Sequence, residues 1–175
     1  MLIFRNDDIG ANSNFNDIQK VYTHIKFQFP NSEIYSCIYL LEKEGHTPVD
    51  VKCDYNTNKI FDFTQLPILH TVVSHGLMHI SHKQVSVEIQ ELSILISCNL
   101  LNTKIFLPPF VQWNKDTERI CSNNGIKLLG TEKWRSLDKE EFDSSYPLWL
   151  FHSWRHTPEK LIEKLKADKN ANKSN

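Results

Sequence analysis

A chain of 175 residues, 40% hydrophobic and 23% charged, can bury most of its apolar surface around one core and is too short for two full domains. Its net charge of −1 gives no electrostatic case for nucleic acid or an anionic membrane as the main partner. No window approaches the roughly 18 unbroken apolar residues that a membrane span requires.

Met1 to Arg5 predicts a buried strand, and Asp7 and Asp8 follow at its C-terminal edge, where α/β sheets and barrels place their ligands. Two neighbouring carboxylates are costly to bury unless a cation resolves the repulsion, so a metal or acid/base site is the first expectation. The polar run Asn12–Asn16 leads into a helix with Phe15, Ile18, Val21, Tyr22 and Ile25 on one face. Pro30-Asn31-Ser32 ends that unit, and Glu33 to Leu41 is a second strand, rich in β-branched and aromatic residues. Residues 42–67 read as a long excursion over the site.

Leu69 to Ser74 is the third strand, running into His75 and His79. Gln84 to Leu101 is the clearest helix, with Val85, Ile89, Leu92, Leu95, Ile96 and Leu100 near helical period. Lys104 to Leu107 is a short strand stopped by Pro108-Pro109. A helix over Asn114–Asn123 ends at Gly125, Ile126 to Leu129 is the next strand, and Leu148 to His152 the last. Thr157 and Pro158 cap a closing helix whose inner face is Leu161, Ile162 and Leu165. Strands and helices alternate throughout, which favours a mainly parallel α/β sheet or barrel. Residues 1–168 are expected to form one domain, with a frayed tail over 169–175. With no leader before Arg5, the expected location is cytoplasmic, and Cys37, Cys53, Cys98 and Cys121 are expected to be reduced core thiols.

Parallel strands bring Asp7, Asp8, His75, His79 and His152 to one face. An Asp-His-His set suits zinc or a similar divalent ion, and His75 and His79 would reach one metal if their segment starts a helix. His82 competes as the second ligand, His70 and His24 read as structural, and His46 and His156 as solvated.

The order of acid pair, Ser-His-Gly-x-x-His, Pro-Pro strand end and Leu150-Phe151-His152 resembles the polysaccharide deacetylase superfamily, the carbohydrate esterase family 4 enzymes and their shorter relatives. The phrases around Phe4–Asp8 and Lys104–Asn114 look most like a divergent bacterial branch associated with O-antigen and surface-glycan gene clusters. The resemblance implies a distorted or incomplete (β/α) barrel. It also implies a metal-dependent hydrolase that removes an N-acyl, foremost N-acetyl, group from a sugar, nucleotide sugar or glycan precursor. By it, Asp8, His75 and His79 would hold zinc or another divalent transition metal, Asp7 would be the general base and His152 the general acid. Arg5, Pro109, Phe110 and Trp113 would meet the substrate, with Trp154 a further candidate wall. The third motif departs from the family's Arg-Pro-Pro-aromatic-Gly, since Leu107 stands where the base-orienting arginine belongs, and Arg5 is the candidate replacement. Glu132 and Trp134 are the nearest match to the fourth motif, an acid with a nearby tryptophan. Deformylation of a formamido sugar, and a non-catalytic metal-holding glycan-binding relative, are the alternatives.

Overall fold

The computed structural model describes residues 1–42 and 58–169. In chain order the elements begin with β1 (Ile3–Ile9), α1 (Phe15–Gln28), β2 (Glu33–Ile38) and the short β3 (Leu41–Glu42) and β4 (Lys59–Ile60). They continue with β5 (Thr71–Ser74), α2 (Val87–Leu100), β6 (Ile105–Phe106), α3 (Lys115–Asn123), β7 (Lys127–Leu128), β8 (Arg135–Ser136), β9 (Leu148–Phe151) and α4 (Pro158–Lys166). Seven strands form one parallel sheet in the order β7-β6-β5-β2-β1-β9-β8, curled into an α/β half-barrel. Among the described residues its edges β7 and β8 do not pair with each other, so the barrel stays open on that side.

Strand alternation divides the side chains between two faces. Phe4 points outward and joins Ile18, Val21, Ile25, Leu161 and Leu165 of α1 and α4 in the main apolar cluster. On the other flank, α2 and α3 bury Ile94, Cys98, Ile120 and Cys121 against Phe106. Each buried Val, Ile, Leu or Phe among them contributes about 1.5–3 kcal/mol of transfer free energy. The inner face carries Cys37, Val73, Leu107 and Leu129. Arg5 lies in register with Tyr35, which packs against that inner cluster. Among the described cysteines Cys37, Cys98 and Cys121 are buried free thiols; Cys53 lies outside the described residues, as does His46.

Several expectations shift. The first strand runs on through Asp8 to Ile9 rather than stopping at Arg5. The helix α2 is where its periodicity places it, but Leu92, Ile96 and Leu100 are exposed. Its buried face is Gln90, Ser93, Ile94, Ser97 and Cys98. Small serines let the helix approach the sheet closely and are satisfied there: Ser97 Oγ lies 2.6 Å from Ser74 Oγ, and Ser93 Oγ accepts from the Leu77 N–H. The two-residue β8 carries no apolar alternation and was not expected. Most of the excursion over 42–67 lies outside the described residues. Among the described residues no helix is long and apolar enough to cross a membrane.

Candidate active site and metal centre

The site begins in β1. Side chains two apart on a strand share a face, so Arg5 and Asp7 both point inward, and Arg5 Nε and Nη2 donate to Asp7 Oδ1 and Oδ2 at 2.8 and 2.9 Å. Asp8 would ordinarily face the opposite side. The β1–β2 register slips between Asn6 and Ile9, and Asp8 takes a φ of 60°. This bulge turns the second acid into the same cleft as the first. Gly10 follows because a Cβ there would lie 2.3 Å from the Tyr39 ring.

His75 follows directly on β5, and His79 lies beyond the bend at Gly76, whose φ is 96°. The two rings meet at a centroid distance of 5.2 Å. The expected helical turn is absent: the segment bends as a loop tied by a bridge between Leu41 and Met78, and α2 begins only at Val87. The loop still converges both imidazoles on Asp8, whose Oδ1 is 3.1 Å from His75 Nε2 and 2.9 Å from His79 Nε2. His82 is not part of the cluster, which is Asp8, His75 and His79 with ligand atoms within 4.8 Å of one another.

This donor set fits a divalent cation. The Leu107 carbonyl, 2.7 Å from His75 Nδ1, can only accept, so Nδ1 carries the proton. In the neutral ring that tautomer leaves the Nε2 lone pair facing a carboxylate oxygen, an arrangement that a cation between them makes favourable. Both nitrogens of buried His79 lack a hydrogen-bond partner, although Nε2 lies 2.9 Å from Asp8. Burial lowers the pKa of His79, more than its contact with Asp8 raises it. Burial alone would raise the Asp8 carboxyl, but its contacts with His75 and His79 hold it well below the usual range.

His152 approaches from the end of β9, its Nε2 3.5 Å from Asp8 Oδ2. Its other nitrogen, Nδ1, is 2.5 Å from Asp138 Oδ2, and its backbone N–H donates to Asp138 Oδ1 at 3.1 Å. Burial opposes a charged His152, but the hydrogen bond to Asp138 and the charges of Asp8 and Asp7 outweigh it and raise the pKa. Asp138, in the turn after β8, was missed from sequence, where Glu132 was the candidate for the fourth motif's acid. Glu132 instead accepts from the Gly130 N–H. His156, expected to be solvated, is largely covered and lies 3.5 Å from the same Asp138. His70, expected to be structural, is exposed.

These groups line a cleft of about 320 Å³ formed by Arg5, Asp7, Asp8, His75, His79, Phe110, Val111, Leu150, His152 and Arg155. Of the residues expected to meet a substrate, Arg5 and Phe110 are on its wall, with the Phe110 ring 4.5 Å from His79. Pro109 and Trp113 are not among its lining residues; Trp113 donates its Nε1–H to Glu118 outside it. Trp154 stands edge-on to His152 at 5.7 Å. It lines a neighbouring groove of about 590 Å³. Tyr39, unmarked in the sequence, packs 5.3 Å from His79 and donates to buried Glu42.

No family model and no curated protein matches the chain. Among solved structures it is similar to a Bacillus anthracis carbohydrate esterase family 4 pseudoenzyme. A mutant of that protein with restored enzymatic activity has a TM-score of 0.64 and 12% identity, over 98% of this chain and 63% of that one. The wild-type pseudoenzyme gives 0.58 and 9%, over 94% and 60%. A family 4 carbohydrate esterase from Streptomyces lividans, in complex with acetate, gives 0.57 and 12%, over 94% of this chain and 87% of that one. The chain thus spans about 60% of the Bacillus structures' length, and its fold is that of the carbohydrate esterase family 4 deacetylases.

Proposed function

We propose that the protein is a metal-dependent hydrolase that removes an N-acyl group, foremost N-acetyl, from a sugar, nucleotide sugar or glycan precursor, in the assembly of a surface polysaccharide. The observation that carries this reading is one cleft holding an Asp-His-His cluster, a carboxylate clamped by arginine and a histidine backed by a second carboxylate. Asp8, His75 and His79 would hold zinc or another divalent ion, which when bound acidifies a water and polarises an acyl carbonyl. Asp7, held by the Arg5 fork, accepts the proton of the attacking water. His152, whose pKa its hydrogen bond to Asp138 helps to raise, donates one from Nε2 to the leaving amine. Phe110 and Leu150 keep the wall beside the reacting atoms apolar.

The test is loss of an acyl group, read by mass spectrometry, across N-acetylated and N-formylated nucleotide sugars, lipid-linked sugars and oligosaccharides. Asp7→Asn should abolish release and leave the metal content unchanged; full activity in that variant would remove Asp7 as the base. One observation favours a relative that holds metal without turnover: Leu107 packs with Cys37, Val73 and Leu129 where the family motif has arginine. That reading requires metal binding with no acyl release from any of these compounds. The Arg5 clamp on Asp7 favours the hydrolase.

A further inference from the structure

Arg5 is only partly held by hydrogen bonds. It is 1% exposed, and Asp7 takes its Nε and Nη2, but Nη1 has no hydrogen-bond partner. A guanidinium this desolvated stays aimed only if its surroundings hold it. Asp7 engages the edge of the fork; the flat face is covered by Trp134, whose ring centroid lies 4.4 Å from Arg5 Cζ. Trp134 leans in turn on Tyr35, the β2 residue in register with Arg5, at 6.5 Å. It comes from the segment that joins the two edge strands, β7 and β8, across the open side of the half-barrel.

We propose that Trp134 is a positioning residue for Asp7, acting through Arg5: its ring covers the guanidinium face and keeps the fork turned onto the carboxylate. A cation over an indole face is held by the ring's quadrupole, most strongly when water is kept away. The same stacking gives the open side of the barrel a plug. The kinetic consequence rests on the hydrolase reading; the structural consequence does not.

The test uses the full-length, zinc-supplemented protein and the Trp134→Leu and Trp134→Phe variants. The first readout is the Arg5 Nε–H resonance and its exchange with solvent, which needs no substrate. Trp134→Leu should speed that exchange about tenfold or more, and Trp134→Phe, which keeps a weaker π face, only a few-fold. Zinc content should stay the same in both variants, because Trp134 does not line the cleft that holds the proposed ligands. In turnover, Trp134→Leu should lower kcat about tenfold with KM within about twofold, and Trp134→Phe should recover most of the loss. Unchanged Nε–H exchange in Trp134→Leu overturns the proposal, as does a raised KM with kcat intact, since that would mean contact with substrate. If Trp134→Leu does not fold, Trp134→Phe decides, and wild-type exchange in it overturns the proposal. Trp134-dependent exchange in a protein that hydrolyses nothing upholds the positioning and removes the hydrolase reading.

Discussion

In the proposed mechanism Asp138 acts on the chemistry only through His152. Removing the charge but keeping the shape, as in Asp138→Asn, should leave metal content unchanged and lower kcat on the order of 10²-fold or more, because the imidazole loses the partner that fixes its tautomer and charge. Steady-state kinetics beside metal analysis checks this; retained turnover would mean that His156 or water replaces it. A second buried histidine gives a pH prediction. His82 is fully buried beside Phe106 with no hydrogen-bond partner on either nitrogen, and burial lowers its pKa from 6.5 to about 4. The fold therefore favours the neutral ring. The stabilisation is complete above the unfolded value of about 6.5 and is lost as pH falls toward 4, on the order of 3 kcal/mol in all. Denaturant unfolding of the wild type and His82→Leu between pH 7 and 4 should show the acid loss shrinking in the variant. Asp138 was hidden in the sequence because nothing in Ser136-Leu137-Asp138-Lys139 marks it; the demand that a charged His152 find a carboxylate for Nδ1 was the available signal.

Among the elements, the turn after Pro108-Pro109 stores strain. Phe110 and Val111 have φ values of 58° and 54°, and for a β-branched residue that is a clear outlier. Such a conformation costs about 1–3 kcal/mol, more than the roughly 0.5–1 kcal/mol of extra entropy that glycine loses on folding. Val111→Gly should therefore stabilise the protein by about 1 kcal/mol and raise Tm by about 2–4 °C. A calorimetric scan checks it, and a lower Tm would mean that Val111 packing beside Gly130 outweighs the strain. The elements themselves were legible where they are long. Helices α1 and α4 announced their inner faces, apart from half-buried Ile162, while in α2 apolar residues fall on every side and the buried face includes Gln90, Ser93 and Ser97, so its period could not say which side faces the sheet. The bulge in β1 was not legible either, since no glycine or proline signals the slip at Asp7-Asp8.

For the molecule as a whole, the ligand cluster joins β1 to the loop after β5, residues 67 apart for Asp8 and His75. A metal bound only by the folded state should stabilise all of it. Zinc at about one hundred times its Kd should add about 2.7 kcal/mol, or about 5–10 °C in Tm. His75→Ala should remove most of that gain in a thermal-shift titration, and an equal shift in the variant would place the metal elsewhere. The mainly parallel α/β sheet and the convergence of strand ends followed from the alternation of strands and helices, and the incomplete barrel from the family resemblance. That the opening falls between β7 and β8 was not legible, because strands of two residues leave almost no pattern.

The position of β1 within the sheet has a consequence for the order in which the protein can assemble. It precedes every other strand of its sheet in the sequence, yet it sits between β2 and β9, so one of its edges waits for residues 148–151. Until they leave the ribosome, the strand bearing both acids offers unpaired backbone to whatever lies near it. His152 arrives with β9, so the proposed base and acid are far apart in sequence and can act together only once β9 has been made. A chain cut short before β9 would carry the proposed metal ligands on an open edge, prone to aggregate and unable to turn over.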